Sequence, residues 1–270
     1  MPYANAGATR LYYESIGDGM PLILQGHGHM GWMPFQVPYF SQFYRVIVFD
    51  RRGTGRSDTP PGPWTAADLA RDVRNLMDAL AVDTAIVGGN SLGGIVTAQF
   101  GLDYPECAAA LIVGHTTPYL WPLGRQWLVE QIEAARRDEP VVVFQPRSYE
   151  WEEQGPPTIA DGFGDTPVGR YLATLNRGMG SRDAIIAMLN VLMNWDQRPR
   201  YEEMHRLEIP VLVIVGGNEP QKTIELSYEW HTQFKNSDYV ILPNTHHGAA
   251  AENPIGWNRA VHGFLGRHGL

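Results

Sequence analysis

The sequence predicts an α/β fold in which helices flank a mostly parallel central sheet. Short apolar segments bounded by Gly or Pro alternate along the chain with helical patterns, and this alternation is typical of parallel sheets. Hydrophobic residues make up 44% of the 270 residues and charged residues 19%, which is ordinary globular composition with ample material for a core. We therefore expect most strands to be buried on both faces.

Alternation over residues 10–15 and short apolar runs elsewhere predict the strands. The predicted strands cover residues 10–15, 21–25, 44–50, 84–89, 109–114, 210–217 and 238–243. Thr65 is a candidate N-cap for a helix in which Leu69, Val73, Leu76 and Leu80 recur at helical spacing. Further helices are predicted through residue 103, near residues 223–234 and over residues 254–267.

The composition and pattern of the sequence change between residues 118 and 205. Aromatic residues occur there among Gly and Pro, with helical patterns near residues 124–137, 168–178 and 181–194. The segment predicts a mainly helical cap inserted before the last third of the chain. The expected core then comprises residues 1–117 and 206–270.

Charge and cysteine content argue against several kinds of binding partner, disulfide and metal site. The formal net charge of −8 makes nucleic acids and anionic membranes unfavourable partners. Cys107 is the only cysteine, which excludes an intramolecular disulfide, a Cys-rich zinc site and an iron–sulfur cluster. Residues 1–18 contain no signal-peptide pattern and no run of eighteen apolar residues occurs, so we expect a cytoplasmic protein. The oligomeric state is not predicted.

The strongest motif is Gly-Asn-Ser-Leu-Gly-Gly at Gly89–Gly94, between a buried strand and an apolar helix. In this context Gly-x-Ser-x-Gly predicts a sharp turn that presents the hydroxyl of Ser91 above the sheet. Side chains at Gly89 and Gly93 would collide with the neighbouring strand and helix. A glycine-rich turn without chemistry and a phosphate-binding loop are the alternatives, and the flanking pattern favours a nucleophile.

A serine hydroxyl needs a general base within hydrogen-bond reach. Two adjacent histidines, His246 and His247, follow the last predicted strand. The residues alone leave both open as the base.

Four segments of the sequence resemble the α/β-hydrolase superfamily. They are Gln25-Gly26-His27-Gly28, the Asp50–Ser57 turn, the Gly89–Gly94 motif and the late histidine loop. The resemblance extends over nearly the whole chain and implies the α/β-hydrolase fold with a Ser-acid-His triad. It also implies that the Asp50–Ser57 turn is structural rather than a phosphate loop.

The resemblance selects the base and the acid. In such proteins the catalytic histidine commonly stands five residues before Glu-x-Pro, which here is Glu252-Asn253-Pro254 and implies His247. Where the family usually has Gly-x-x-Asp, residues 216–219 read Gly-Gly-Asn-Glu, which implies Glu219 as the acid. Asp196 is the alternative acid. The order serine, acid, histidine is that of the hydrolase fold.

Backbone amides are expected to bind the oxyanion of a tetrahedral intermediate. The resemblance implies the amides of Leu92 and His27, and an alternative register moves the second donor to His29. The side chains of His27 and His29 could suggest a metal site, but no third ligand lies at ligand spacing. We therefore expect neither a metal nor another cofactor.

The predicted activity is hydrolysis of a small carboxylic ester or lactone. His29, Trp127, Trp151 and Met188 are candidate substrate-binding residues. Residues 216–220 are similar to those of N-acyl-homoserine lactonases of this superfamily, and Asn90 beside the serine is similar to carbon–carbon bond hydrolases of ring-cleavage products. A ligand-binding member without turnover is a further hypothesis, against which the intact serine, acid and histidine argue.

Overall fold

The computed structural model describes residues 2–26, 28–139, 162–176 and 180–270. The strands are β1 (Tyr3–Ala6), β2 (Thr9–Ile16), β3 (Pro21–Gln25), β4 (Arg45–Phe49), β5 (Ala85–Asn90), β6 (Ala108–Gly114), β7 (Val211–Gly216) and β8 (Ser237–Leu242). The helices are α1 (Gly28–Trp32), α2 (Gln36–Phe40), α3 (Ala66–Ala79), α4 (Leu92–Asp103), α5 (Pro122–Arg136), α6 (Pro167–Asn176), α7 (Arg182–Met193), α8 (Tyr201–Met204), α9 (Gln221–His231), α10 (Ala249–Glu252) and α11 (Pro254–Arg267).

The eight strands form one mostly parallel sheet in the order β1-β2-β4-β3-β5-β6-β7-β8. The pairs from β4 through β8 are parallel, whereas β1 pairs with β2 and β2 with β4 in antiparallel fashion. All residues of β5 and β7 are buried, because hydrophobic clusters cover both faces of the sheet. The predicted fold class is confirmed.

Helix α3 illustrates how a capping residue and an apolar stripe in the sequence determine where a helix begins and which face it buries. The side chain of Thr65 accepts a hydrogen bond from the amide of Asp68, and the Asp68 carboxylate accepts one from the Thr65 amide, which forms a capping box. Of the predicted stripe, Leu69, Val73 and Leu76 are buried, whereas Leu80 is the C-cap residue and is only partly buried. The predicted N-cap is therefore confirmed.

Helices α5, α6 and α7 lie between β6 and β7 in the sequence. Helices α5 and α7 pack on each other through Leu128, Ile132 and Leu189. Among the described residues of this stretch the structure forms no sheet strand, only an isolated bridge between Tyr119 and Asp196. The division into a core and a cap with boundaries at residues 118 and 206 stays a prediction. Within the described ranges no helix is long and apolar enough to cross a membrane.

Candidate active site

Four neighbouring strands end at the same edge of the sheet and bring polar residues together there. Ser91 directly follows β5 and His115 directly follows β6. Glu219 and His247 lie in the loops after β7 and β8. The Ser91 amide donates to the carbonyl of Gly114 at 2.9 Å, which joins the first two loops. In parallel sheets this edge is where ligands bind.

Ser91 adopts a strained backbone conformation. Its φ of 55° and ψ of −122° lie in a region that residues with a side chain rarely occupy. A Cβ atom added to Gly89 would lie 2.6 Å from the carbonyl carbon of Gly93 and 2.7 Å from the carbonyl oxygen of Gln25. The turn is thus as tight as the motif predicts. The Ser91 hydroxyl makes no capping bond to α4, so the turn leaves it available for chemistry.

The carboxylate of Glu219 lies between two imidazoles. Its Oε2 is 3.0 Å from Nδ1 of His247, and its Oε1 is 2.7 Å from Nδ1 of His115. The amide of Gly216 donates to Oε1 at 3.2 Å. Glu219 is 2% exposed, so these three donors supply the hydrogen bonds that a buried carboxylate requires.

Burial and charge act in opposite directions on the Glu219–His247 pair. Burial alone would raise the pKa of Glu219, but the charge of His247 and the hydrogen bonds from His115 and His247 outweigh it and hold that pKa far below its ordinary value. Burial would lower the pKa of His247, but the charge and hydrogen bond of Glu219 and the charge of Glu252 raise it above 6.5. The pair therefore favours a carboxylate that stabilises a protonated imidazole.

The two adjacent histidines have different partners. Nδ1 of His246 lies 3.1 Å from Oε2 of Glu252, and its amide donates to the same oxygen at 2.9 Å. His247 instead contacts Glu219. Asp196, the alternative acid, accepts hydrogen bonds from the Arg198 side chain at 2.9 and 2.6 Å. This geometry favours His247 with Glu219 over both alternatives.

His115 is a site residue that the sequence analysis missed. It is 1% exposed and adopts a φ of 52°, which is unusual for a residue with a side chain. Its amide donates to the carbonyl of Ile214 at 2.8 Å, which fixes the backbone between β6 and β7. The available signal was its position, because a polar residue directly after a buried parallel strand lies at the edge where Ser91 and Glu219 also lie.

The structure describes the backbone amides of two of the three candidate oxyanion donors, Leu92 and His29. Leu92 is the first residue of α4, where an amide has no acceptor within the helix. His27 lies outside the described residues. The amide of His29 donates to Oδ1 of Asp50 at 3.1 Å. It is thus already engaged, which disfavours the alternative register.

The carboxylate of Asp50 organises the turn that follows β4. Its Oδ1 lies 2.8 Å from Nδ1 of His29, and its Oδ2 accepts a hydrogen bond from the Arg56 amide at 3.0 Å. Burial alone would raise the pKa of Asp50, but the hydrogen bonds from His29 and Arg56 keep it below its ordinary value. His29 is 4% exposed, so this pairing favours a structural role over substrate contact.

Two of the other candidate substrate-binding residues are partly buried against hydrophobic clusters. Trp127 packs against the cluster between α5 and α7, and Met188 packs against the cluster that covers one face of the sheet. Trp151 lies outside the described residues. Helix α6 also contacts helix α1, since the Tyr171 hydroxyl donates to the carbonyl of Met30 at 3.1 Å.

No cluster of three or more His, Cys, Asp or Glu side chains suited to a metal ion occurs in the part of the chain that the structure describes. His29 is hydrogen-bonded to the Asp50 carboxylate, and His115 and His247 are both hydrogen-bonded to the Glu219 carboxylate. Their arrangement suits proton transfer and charge stabilisation rather than metal ligation.

A family model described as "Alpha/beta hydrolase family" matches residues 22–260. This chain belongs to the α/β hydrolase family. The match extends from the second residue of β3 to the middle of α11 and includes Ser91, Glu219 and His247. The α/β hydrolase fold thus accounts for the mostly parallel sheet with helices on both faces.

Known proteins similar to this α/β hydrolase have several activities in their names. This chain is 28% identical over 233 residues to 3-oxoadipate enol-lactonase 2 of Acinetobacter baylyi, and the alignment covers 86% of this chain and 82% of that protein. It is 34% identical over 158 residues to a protein of Azorhizobium caulinodans provisionally named carbamate hydrolase RutD, covering 54% and 59%. The enol-lactonase from Burkholderia xenovorans LB400 superposes with a TM-score of 0.82 at 22% identity, covering 98% and 100%. Hydrolytic function is common to these names.

Proposed function

We propose that this α/β hydrolase cleaves a carboxylic ester or lactone through a serine nucleophile and an acyl-enzyme. One observation carries the proposal: a strained serine lies at the sheet edge where a buried carboxylate pairs with a histidine. Two similar proteins named as enol-lactonases support a lactone or ester over other bonds.

In the proposed mechanism His247 accepts the proton of Ser91 as the hydroxyl oxygen attacks the substrate carbonyl. Glu219 holds the imidazole through Nδ1 and stabilises the imidazolium. The amide of Leu92, with that of His27 as the second proposed donor, stabilises the oxyanion. His247 then protonates the leaving alcohol oxygen. It next activates the water that releases the acid.

The test is a panel of 4-nitrophenyl esters, aliphatic and enol lactones, and a vinylogous diketone. We expect hydrolysis of esters or lactones with a kcat/KM well above that for the diketone. Preferential cleavage of the diketone would favour the second candidate, a carbon–carbon bond hydrolase.

That candidate is supported by Asn90, which is 1% exposed beside Ser91. It also has support from a similar protein of Metapseudomonas resinovorans named as a 2-hydroxy-6-oxo-6-(2'-aminophenyl)hexa-2,4-dienoic acid hydrolase.

The Glu219–His247 pair predicts the pH dependence of the reaction. Only the neutral imidazole can accept the serine proton, so activity should fall as the pH decreases through the pKa of His247. Because Glu219 raises that pKa, the midpoint in kcat/KM should lie above the ordinary value of 6.5. Replacement Glu219→Gln removes the raising influence while burial still lowers the pKa. Its residual activity should then titrate at a lower pH than that of the wild type. An unchanged midpoint would contradict the pairing.

We propose that His115 is a positioning residue for Glu219. Its Nδ1–H stabilises the carboxylate at Oε1 and leaves Oε2 for His247. Replacement His115→Leu should lower kcat/KM roughly tenfold, because a hydrogen bond to a charged group contributes about 1.5–3 kcal/mol. It should also move the acid limb of the pH profile upward, because Glu219 then attracts the His247 proton more strongly.

The variant His115→Asn is the matched control. Its side-chain amide can donate from about the position of Nδ1, so it should restore most of the activity and the wild-type pH profile. A purely structural role predicts reduced activity for His115→Leu with no shift of the acid limb, which would refute this assignment.

A further inference from the structure

The turn after β4 contains an arginine, Arg51, with buried nitrogens that lack hydrogen-bond partners among the described residues. Nε and Nη1 of Arg51 are buried and have no hydrogen-bond partner within the described part of the chain. Burial lowers the pKa of Arg51 to about 10, partly offset by the charge of Asp50, so the guanidinium is charged at neutral pH. Buried charged donors without partners are costly. Such a side chain implies an anionic ligand.

The carboxylates of Asp50 and Asp72, which belong to or contact this turn, already have other hydrogen-bond donors. Asp50 accepts hydrogen bonds from His29 and from the Arg56 amide. Asp72 accepts two hydrogen bonds from the neighbouring Arg52, at 2.6 and 2.7 Å. Neither carboxylate satisfies the two buried nitrogens of Arg51.

The register of the sheet places Arg51 close to the candidate nucleophile. Leu24 of β3 pairs with Val48 of β4 on one side and with Gly88 of β5 on the other. Arg51 and Ser91 each come three residues after these partners. Arg51 thus follows the end of β4 and Ser91 the end of β5 at the same edge of the sheet, and these two strands, separated only by β3, lie about 10 Å apart at a spacing of roughly 4.8 Å per strand.

The same turn lies beneath the cap. A Cβ atom added to Gly53 would meet Cβ of Ala184, in helix α7, at 3.0 Å. Arg51 itself is half-buried, so part of this residue is accessible from outside the turn. A substrate whose carbonyl lies at Ser91 could extend one end toward this position.

We propose that Arg51 binds a carboxylate carried by the substrate, so that the enzyme prefers anionic esters or lactones. This inference rests on the proposed function. Carboxylate oxygens accept charge-assisted hydrogen bonds from guanidinium N–H groups, and the buried Nε and Nη1 of Arg51 are donors that lack such an acceptor. The carboxylate would lie several bonds away from the scissile carbonyl, at the far end of the acyl chain.

The test compares two esters, 4-nitrophenyl hydrogen adipate and 4-nitrophenyl hexanoate. Both have four methylenes after the carbonyl, and they differ in a terminal carboxylate against a methyl group. We expect the wild type to prefer the adipate half ester at least tenfold in kcat/KM. Replacement Arg51→Met should lower kcat/KM for the adipate ester by about 10- to 100-fold, mainly through KM, and change that for hexanoate less than twofold. The matched control is Arg125→Met, since Arg125 is an exposed arginine of α5.

Binding without turnover separates this inference from the proposed function. Calorimetry with monomethyl adipate and methyl hexanoate would be performed on Ser91→Ala and on the double variant Ser91→Ala/Arg51→Met. We expect Ser91→Ala to bind the adipate ester more tightly and the double variant to lose that preference. Equal binding of both esters, or an equal change in both caused by Arg51→Met, would overturn the role of Arg51. An inactive wild type that keeps the binding preference would refute only the hydrolase mechanism.

Discussion

Replacement Ser91→Ala is expected to lower kcat for ester or lactone hydrolysis by about 10⁴-fold or more. The hydroxyl is the proposed nucleophile, and the Ala methyl group cannot form the acyl-enzyme. The variant keeps a Cβ atom in the same strained conformation, so the fold and substrate binding should persist. Initial rates with 4-nitrophenyl butyrate measure the effect. Activity within tenfold of the wild type would exclude Ser91 as the nucleophile.

The strain at Ser91 adds a second expectation for this position. A non-Gly residue at φ 55° and ψ −122° costs about 1–3 kcal/mol, whereas Gly there costs about 0.5–1 kcal/mol of extra backbone entropy. Replacement Ser91→Gly should therefore raise the free energy of unfolding by about 1 kcal/mol, while Ser91→Ala should leave it nearly unchanged. Thermal unfolding of both variants tests this. A lower Tm for Ser91→Gly than for Ser91→Ala would show that the turn is not strained.

Replacement His247→Gln is expected to lower kcat about as much as Ser91→Ala, because the serine and its base act as one unit. The neighbouring His246→Gln is the matched control. His246 contacts Glu252 rather than Glu219, so this variant should keep kcat within about tenfold of the wild type.

The pair of variants also tests the alternative base directly. If His246 were the base, the two effects would be exchanged, with the severe loss in His246→Gln. Circular dichroism and thermal unfolding of both proteins would show whether each variant is folded. A comparable loss in both folded variants would contradict the assignment of a single catalytic histidine.

Much of the fold follows from the apolar pattern of the sequence. Strands β3 to β7 are largely buried on both faces and appear as continuous apolar runs, whereas the edge strand β8 is mostly half-buried. The predicted positions of these strands agree with the structure to within one or two residues. Strand β1 was not predicted. Its four residues alternate between exposed and buried positions and it pairs only at the sheet edge, so its stability depends on β2 rather than on its own sequence.

The candidate site was predictable in part. Ser91 has a local motif, because a strained turn needs glycines at fixed positions. His247 and Glu219 have no such local pattern, and only the resemblance to a family selected them. His115 had neither signal, since its role depends on a contact with a residue 104 positions away. The hydrogen bond between His29 and Asp50 likewise depends on how helix α1 packs against the turn after β4.

Labelling with a fluorophosphonate tests the central claim most directly. The reagent phosphonylates a serine that is activated by a histidine base, and intact mass with peptide mapping locates the adduct. We predict one adduct per chain on Ser91, complete loss of activity, no adduct in Ser91→Ala and strongly slowed labelling in His247→Gln. An adduct on another residue, or an active protein that resists the reagent, would contradict the account.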